Sequence, residues 1–323
     1  LLYCHTSMAG LQFARLTVIS GSNPRYYPGL LVAFYSLLCT LSRNVSVDFV
    51  VLADGLIEVH DLTLRQVLDR TGRAYTLKII SVDLQAFQPL RRDYGASYMA
   101  YARLLIPKLV FSDFALYVDS DIVVQRDVAG LTGLSWPKNC LLYAVKDPKD
   151  PSFSNDSLNC ERLGIPPSAL YFNSGWMWMN LKKWRQDDVE GKCADFIRHF
   201  PNEIRWWDQS VLNAVLWQNW EPLDDRWNFL VDHSLRKLDL YPWKLSRDIN
   251  AHYLGPDKPW LGFNPYRHFF DAYYSQILDL VPAEIAPCRP RITDALRRIG
   301  FYARRSCQNY GSFCKQGLLR LRS

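Results

Sequence analysis

The sequence has no CxxC pair and no Cys/His set at zinc spacing, although it holds eight cysteines, at 4, 39, 140, 160, 193, 288, 307 and 314. That excludes a zinc ribbon and a thioredoxin-type redox motif. Thiols scattered through a chain this long are expected to stay reduced, as in the cytosol; their even number leaves disulfides open. A signal-peptide plan is missing too, because His5, Gln12 and Arg15 break the apolar run at the start. The first residue is Leu1, so further residues are expected upstream. Two Asn-X-Ser sequons, at Asn44 and Asn155, carry no weight without a sign of secretion. Internal repeats and low-complexity stretches are also absent, which excludes solenoids and arrays.

No uncharged run reaches membrane-spanning length. Tyr26–Ser42 comes nearest, with seventeen residues where roughly 20 are needed. Pro28 and Gly29 stand at its start, and Ser36, Thr40 and Ser42 dilute it, so the run predicts a buried helix. Charge of one sign is lacking from the body as well. Residues 288–323 hold nine Lys/Arg and one acid, Asp294, and the other 287 residues hold 29 Lys/Arg against 31 Asp/Glu. The net +6 is therefore a property of the tail alone.

What is present is an ordinary globular composition. The 323 residues are 49% apolar and 22% charged, enough for a full core in one or two domains and unlike a disordered or multi-span membrane protein. Aromatics reach 14%, with 11 Trp and 18 Tyr. Rings in that number suit a cleft that stacks on sugar-like faces, although a large core absorbs most of them.

Over the first 180 residues strand-like and helix-like runs alternate. Leu16–Ser20, Val45–Ala53, Tyr75–Val82 and Ala115–Val118 read as strands. Between them Tyr26–Ser42, Glu58–Arg70 (Leu62, Val67 and Leu68 inward) and Ser97–Val110 (Pro107 a late break) read as helices. Such alternation predicts an α/β protein with a parallel, doubly wound sheet and ligands at the carboxyl ends of its strands. Further on, Leu141–Val145 and Leu170–Asn180 read as strands, Leu181–Phe200 and Asp208–Trp217 as helices, and Lys146–Pro167 as a long functional loop.

Four motifs carry chemistry. Asp119-Ser120-Asp121 leaves an apolar strand, and the period of two puts both carboxylates on one side, where they can share a divalent cation. A solvated turn is the plain alternative. His252 is followed by Gly255 and Lys258, a residue that lets backbone approach a phosphate and one that neutralises it. Two carboxylates, an imidazole and diphosphate oxygens imply Mn²⁺ or Mg²⁺, the imidazole favouring Mn²⁺. The third motif is Tyr171-Phe172-Asn173-Ser174-Gly175. The fourth is Trp207-Asp208-Gln209-Ser210 at a helix start, where Asp208 and Gln209 either cap the helix or bind sugar hydroxyls.

The order of these pieces resembles glycosyltransferase family 8, the retaining nucleotide-sugar transferases of GT-A fold, and in particular its bacterial lipopolysaccharide galactosyl- and glucosyltransferases. The matching segments are Tyr101–Leu104, Leu116–Asp121, Tyr171–Gly175 with Asn180–Trp184, Asp208–Asn213, Arg226–Phe229 and His252–Trp260. The resemblance implies a Rossmann-like, doubly wound mixed sheet over residues 16–285. It implies Asp119, Asp121 and His252 as metal ligands, Gly255 and Lys258 on the phosphates, and Arg103 on the donor sugar or phosphate. Asp147, Asn173, Asp208 and Gln209 would line the sugar, with Gln209 under the anomeric face as a nucleophile or an electrostatic stabiliser. One departure stands out. The acidic pair that the family places after the first strand is replaced by Ser20-Gly21-Ser22, followed by Asn23. Ser20 and Asn23 remain candidates for the nucleotide, with Tyr26 or Tyr27 to stack on its base.

These readings predict a hexosyltransferase moving glucose or galactose from a UDP-sugar to a saccharide or glycolipid acceptor such as lipopolysaccharide. Residues 1–15 are an N-terminal extension and 286–323 a basic tail. Within the tail, Arg291–Arg305 has apolar residues at 292, 295, 296, 299 and 302 with arginines opposite. That pattern fits a helix on an anionic membrane surface, and no nucleic-acid motif accompanies it. The expected location is cytoplasmic, peripheral to the inner face of the membrane. Two alternatives are a haloacid-dehalogenase-type phosphatase, with Asp119 as nucleophile and Asp121 as acid/base, and a non-catalytic sugar-binding protein.

Overall fold

Strand β1 (Ala14–Ser22) begins the part of the chain that the structure, a computed structural model, describes: residues 14–93, 97–155, 160–231, 248–262 and 264–286. The extension before residue 14 and the tail from 287 onward, with its amphipathic segment Arg291–Arg305, lie outside the described residues.

Strands β1, β2 (Val45–Ala53), β3 (Tyr75–Ser81) and β4 (Phe114–Val118) pair in parallel, as their alternation with helices predicts. Alternate residues divide between two apolar clusters: Leu16 and Val18 in one, Ile19 in the other, and Phe49 and Val51 against Val50 and Leu52. The period of two puts one cluster on each face of the sheet.

The strand–helix alternation reads as a parallel sheet, and it is the mixed sheet implied by the family resemblance that forms, the reversal falling at β7 (Phe172–Asn180). The seven-stranded sheet runs β3-β2-β1-β4-β7-β6-β8, with β7 antiparallel to both β4 and β6 (Leu142–Lys146). Strand β8 (Trp220–Leu223) pairs with β6 in parallel. Between β6 and β7 the chain turns through the loop and the helical turn α4 (Cys160–Leu163) without a long crossover helix, so it returns in the opposite direction. All nine residues of β7 are buried. Its register against β6 jumps between Ala144 and Val145, a bulge beside the Asn173–Gly175 segment, where bulges re-aim side chains.

Helix α1 (Tyr27–Thr40) is the buried helix expected of the uncharged run, its first twelve residues all covered. Among the described residues no helix is long and apolar enough to cross a membrane. In α2 (Glu58–Asp69), Leu64, Val67 and Leu68 face inward while Leu62 is 53% exposed. Two residues from Leu64 is about 200° around a helix, so Leu62 faces solvent. Met99–Leu105 forms a 3₁₀ helix, and Pro107 opens the short α3 (Ile106–Leu109) instead of ending a longer helix. A first turn tolerates proline because its N–H would have no helical partner. Leu181–Phe200 divides into α5 (Leu181–Gln186) and α6 (Val189–His199). The break is at Asp188, which takes a left-handed φ of 48° and caps α6 through the Gly191 N–H. The helix read at Asp208–Trp217 is α7 (Trp207–Leu216).

A second, three-stranded sheet sets the site. Strand β10 (Ala251–His252) pairs antiparallel with β5 (Ile122–Val123) and parallel with β9 (Phe229–Leu230). The register places His252 opposite Ile122, one residue from Asp121. Asn250 secures the junction by accepting the Gln125 and Arg126 N–H groups. Of the cysteines, Cys39, Cys140, Cys160 and Cys193 are free thiols, and the other four lie outside the described residues.

Candidate active site

A cleft opens at the carboxyl ends of β1, β4 and β6, where open α/β sheets place their ligands. The first chemistry in it is the convergence of Asp119, Asp121 and His252, whose ligating atoms lie within 4.8 Å of one another. Asp119 and Asp121 leave β4 on the same side, and β10 brings the imidazole across from a position more than 130 residues later. His252 Nε2 lies 3.2 Å from Asp121 Oδ1 and 3.9 Å from Asp119 Oδ2. Both Asp121 Oδ1 and His252 Nε2 are buried without a hydrogen-bond donor. Lone pairs that face each other this closely need positive charge between them. The donor set of two carboxylates and one imidazole therefore fits a divalent cation of the Mn²⁺ or Mg²⁺ class.

Gly175 floors this cluster. A Cβ there would sit 2.6 Å from His252 Cε1 and 2.7 Å from Asp119 Oδ2. Its carbonyl accepts the Asp119 N–H at 2.8 Å. Lys258, also buried, donates to the second oxygen of Asp121 and to the Tyr253 carbonyl. Burial alone would raise the Asp121 pKa, but the Lys258 ammonium outweighs it and holds the carboxyl well below the usual range. Gly255 lines the cleft with φ +89°, a conformation that suits glycine.

Arg103 is buried beneath the cluster. Its guanidinium donates to the Ser174 carbonyl at 2.6 Å and to Asp119 Oδ1 at 2.8 Å, lies 3.0 Å from Asp208 Oδ2, and stacks over Tyr117 at 4.5 Å. It borders the cleft while most of its donors are spent on the two carboxylates and β7. Asp208 is buried as well and accepts the Ser174 hydroxyl at 2.8 Å. Burial pushes its pKa up to about 6; Arg103 pulls down and Asp119 pushes up. An arginine partner normally lowers a carboxyl, but here it is shared with Asp119 and desolvation wins.

The raised pKa predicts a pH-dependent stability. Asp208 in the folded state holds its proton to about pH 6, against 3.8 for the ordinary group. Its contribution is therefore full below about pH 4 and lost as the pH rises through 6. Relative to Asp208→Asn, the metal-free protein should lose about 3 kcal/mol of stability across that window. Urea midpoints of the two proteins at pH 4 and pH 7.5 measure this, and an unchanged gap would refute the raised carboxyl.

The opposite wall holds Asp147, Asn173 and Gln209, joined by hydrogen bonds. Asp147 Oδ2 accepts Asn173 Nδ2 at 3.0 Å and Gln209 Nε2 at 3.1 Å, while Oδ1 accepts the Lys149 and Asp150 N–H groups. Gln209 Oε1 accepts the Ser174 N–H at 3.1 Å. Asp208 and Gln209 thus face the cleft, and no side-chain cap bond secures the start of α7. That helix starts at Trp207, whose φ of 49° is rare for a bulky residue. Trp207 Nε1 donates to the Arg92 carbonyl at 2.9 Å and holds the turn.

The nucleotide candidates separate. Tyr26 borders the cleft, whereas Tyr27 is fully buried and donates to the His60 carbonyl, which removes it as a base-stacking residue. Asn23 accepts the Tyr26 N–H and lines an adjoining, more open hollow with Arg25, Asp54 and Arg92. Ser20 is fully buried and its hydroxyl lacks a hydrogen-bond partner; its neighbour Gly21 forms the cleft wall. Sequence reading missed the roles of Tyr117, Ser174 and Asn228. All three sit inside the matching segments, yet only their spatial partners define what they do.

Known proteins share this fold. The family model "Glycosyl transferase family 8" matches residues 17–263. General stress protein A of Bacillus subtilis is 25% identical over 273 residues, 80% of this chain and 92% of that protein. The lipopolysaccharide 1,2-glucosyltransferase of Escherichia coli is 25% identical over 254 residues, 76% of this chain and 72% of that enzyme. The crystal structure of the galactosyltransferase LgtC with donor and acceptor sugar analogues aligns with a TM-score of 0.66. That alignment covers 83% of this chain and 98% of that one at 22% identity, and it shows the GT-A fold. With a match over well beyond half its length, the chain belongs to glycosyl transferase family 8.

Proposed function

We propose that this glycosyltransferase moves glucose or galactose, with retention, from a UDP-sugar to a saccharide acceptor of the lipopolysaccharide or glycolipid class. The observation that carries the reading is one cleft with Asp119, Asp121 and His252 on one side and Asp147, Asn173, Asp208 and Gln209 on the other. The acceptor class rests on relatives such as the E. coli lipopolysaccharide 1,2-glucosyltransferase. Membrane attachment through residues 286–323, at the cytoplasmic face, belongs to the same proposal.

Asp119, Asp121 and His252 would hold Mn²⁺ or Mg²⁺, and a bound cation would neutralise charge on the leaving diphosphate. Lys258 adds an ammonium beside it, and Gly255, at φ +89° with no Cβ, would let the backbone approach the phosphates. Charge preplaced in a water-poor cleft stabilises what develops in the transition state, so UDP leaves without a general acid. Asp147, Asn173 and Asp208 orient the sugar hydroxyls. Gln209 Oε1 has one lone pair engaged by the Ser174 N–H and keeps the other for the cationic anomeric carbon. A neutral amide oxygen is a weak nucleophile, so its part is electrostatic. The phosphatase alternative leaves His252 and Asn173 without a role, and membership of the family displaces it.

The test is UDP release from UDP-glucose and from UDP-galactose without acceptor, in Mn²⁺ and in EDTA. The expected result is slow, Mn²⁺-dependent hydrolysis of one of the two. No release from either, with no thermal protection by UDP plus Mn²⁺, would overturn the reading and leave a non-catalytic sugar-binding protein.

A further inference from the structure

We propose that Asn228 is a positioning residue that fixes the tautomer of His252, so that the bare Nε2 faces the carboxylates; this rests on the reading of Asp119, Asp121 and His252 as cation ligands. Asn228 is buried at the junction of a 3₁₀ turn and β9, behind the residues that line the cleft and not itself among them.

The argument starts from a donor that cannot turn round. The backbone N–H of Gly175 donates to Asn173 Oδ1 at 3.1 Å. A backbone amide has only its hydrogen to offer, so that atom of Asn173 is the oxygen and the other is the NH₂. The NH₂ then points at Asp147 Oδ2, 3.0 Å away. Asp147 accepts two further backbone N–H groups through Oδ1, so both ends of Asn173 agree.

Asn173 Oδ1 has a second neighbour, an amide atom of Asn228 at 2.8 Å. Facing an oxygen, that atom must be the Asn228 NH₂. The Asn228 oxygen is thereby turned to His252 Nδ1, at 2.7 Å. A carbonyl oxygen only accepts, so Nδ1 carries the proton, and in the neutral imidazole Nε2 is left with its lone pair. Nε2 is the nitrogen that lies 3.2 Å from Asp121 Oδ1 with no donor to satisfy either atom. Amide orientations and imidazole tautomers are otherwise matters of assignment, but here each link is forced by the one before it. A metal-binding imidazole works only through a bare nitrogen, and the partner of the other nitrogen decides which one that is.

The relay also joins the two walls of the cleft. Asp147 orients Asn173 and Gln209 on the sugar side, and the same Asn173 orients Asn228 and, through it, His252. After its bond to Asp147 the Asn173 NH₂ keeps one N–H for a ligand.

The experiment is imidazole ¹⁵N NMR on the full chain, labelled at histidine, at pH 8 in EDTA, with the signals of His252 assigned by their loss in His252→Gln. Wild type should show a protonated Nδ1 and a bare Nε2. Asn228→Leu, of similar size and without an acceptor, should shift His252 to the Nε2–H form or a mixture. Mn²⁺ affinity, read from the EPR signal of the free ion, should fall by roughly 10–100-fold in the same variant. Asn228→Asp keeps an oxygen for Nδ1–H and should retain the wild-type tautomer. A protonated Nε2 in wild type, or an unchanged tautomer in Asn228→Leu, would overturn the proposal. If Asn228→Leu does not fold, Asn228→Ser, too short to reach Nδ1, replaces it with the same expectation. Should wild type show the Nδ1–H form, altered by Asn228→Leu, yet bind no Mn²⁺, the tautomer control stands and the cation assignment falls.

Discussion

Asp121→Asn is expected to lower transfer by about 10³-fold or more while leaving the fold intact. The loss should be large because Asp121 does two things at once. One oxygen faces His252 Nε2 in the cation cluster and the other accepts Lys258. Asparagine keeps the shape and an oxygen for Lys258, so the buried ammonium retains an acceptor. What goes is the negative charge that draws a divalent cation. Circular dichroism in EDTA should therefore match wild type, the melting point should fall because Lys258 loses its counter-charge, and stabilisation by Mn²⁺ plus UDP should vanish. Unchanged turnover would sink the assignment of Asp121 as a ligand.

Gly175→Ala is expected to cost at least about 100-fold in transfer, the scale on which displaced catalytic groups lose rate. The added methyl would have to share space with His252 Cε1 at 2.6 Å and Asp119 Oδ2 at 2.7 Å, and Asn173 Oδ1 lies 3.0 Å away. None of the three can give way without leaving the cluster or the hydrogen bonds that orient it. Gly130→Ala and Gly133→Ala are the controls, because nothing lies within 4 Å of a Cβ at either position. They should match wild type in turnover. Turnover of Gly175→Ala within twofold of wild type would show that the cluster is looser than its packing implies.

Much of this fold is written in period and order. The strands β1 to β4 alternate between faces, and the uncharged run of α1 is buried as its composition requires. The direction of β7 could not be read, since Trp176–Met179 is equally apolar along either direction and only the pairing with β4 and β6 decides. The 3₁₀ geometry of Met99–Leu105 was hidden because its apolar spacing is shared with an α-helix. In the site, Asp119 and Asp121 announce themselves by the apolar strand they follow. His252 is marked as a candidate by Gly255 and Lys258 after it, but its place beside the two carboxylates depends on β5 and β10, strands of two residues each, too short to leave a pattern. Asn228 has no signal of its own, because its function is the direction of two hydrogen bonds.

The packing of the cation side bears on how this enzyme could acquire a new donor. Gly29, in the first turn of α1, lies where a Cβ would be 2.3 Å from the Ser120 carbonyl and 2.4 Å from the Trp260 ring. With Gly175 on its other side, the Asp119–Asp121 loop is wedged between two positions that accept no larger side chain. Selection for an altered substrate would find few surviving variants there. The far side offers more room for change: Asp93, Lys149, Asp150 and Trp206 border the cleft from irregular segments, where substitutions disturb little else. Divergence of specificity among descendants of such a chain should accumulate on that side, while the cation side stays as it is.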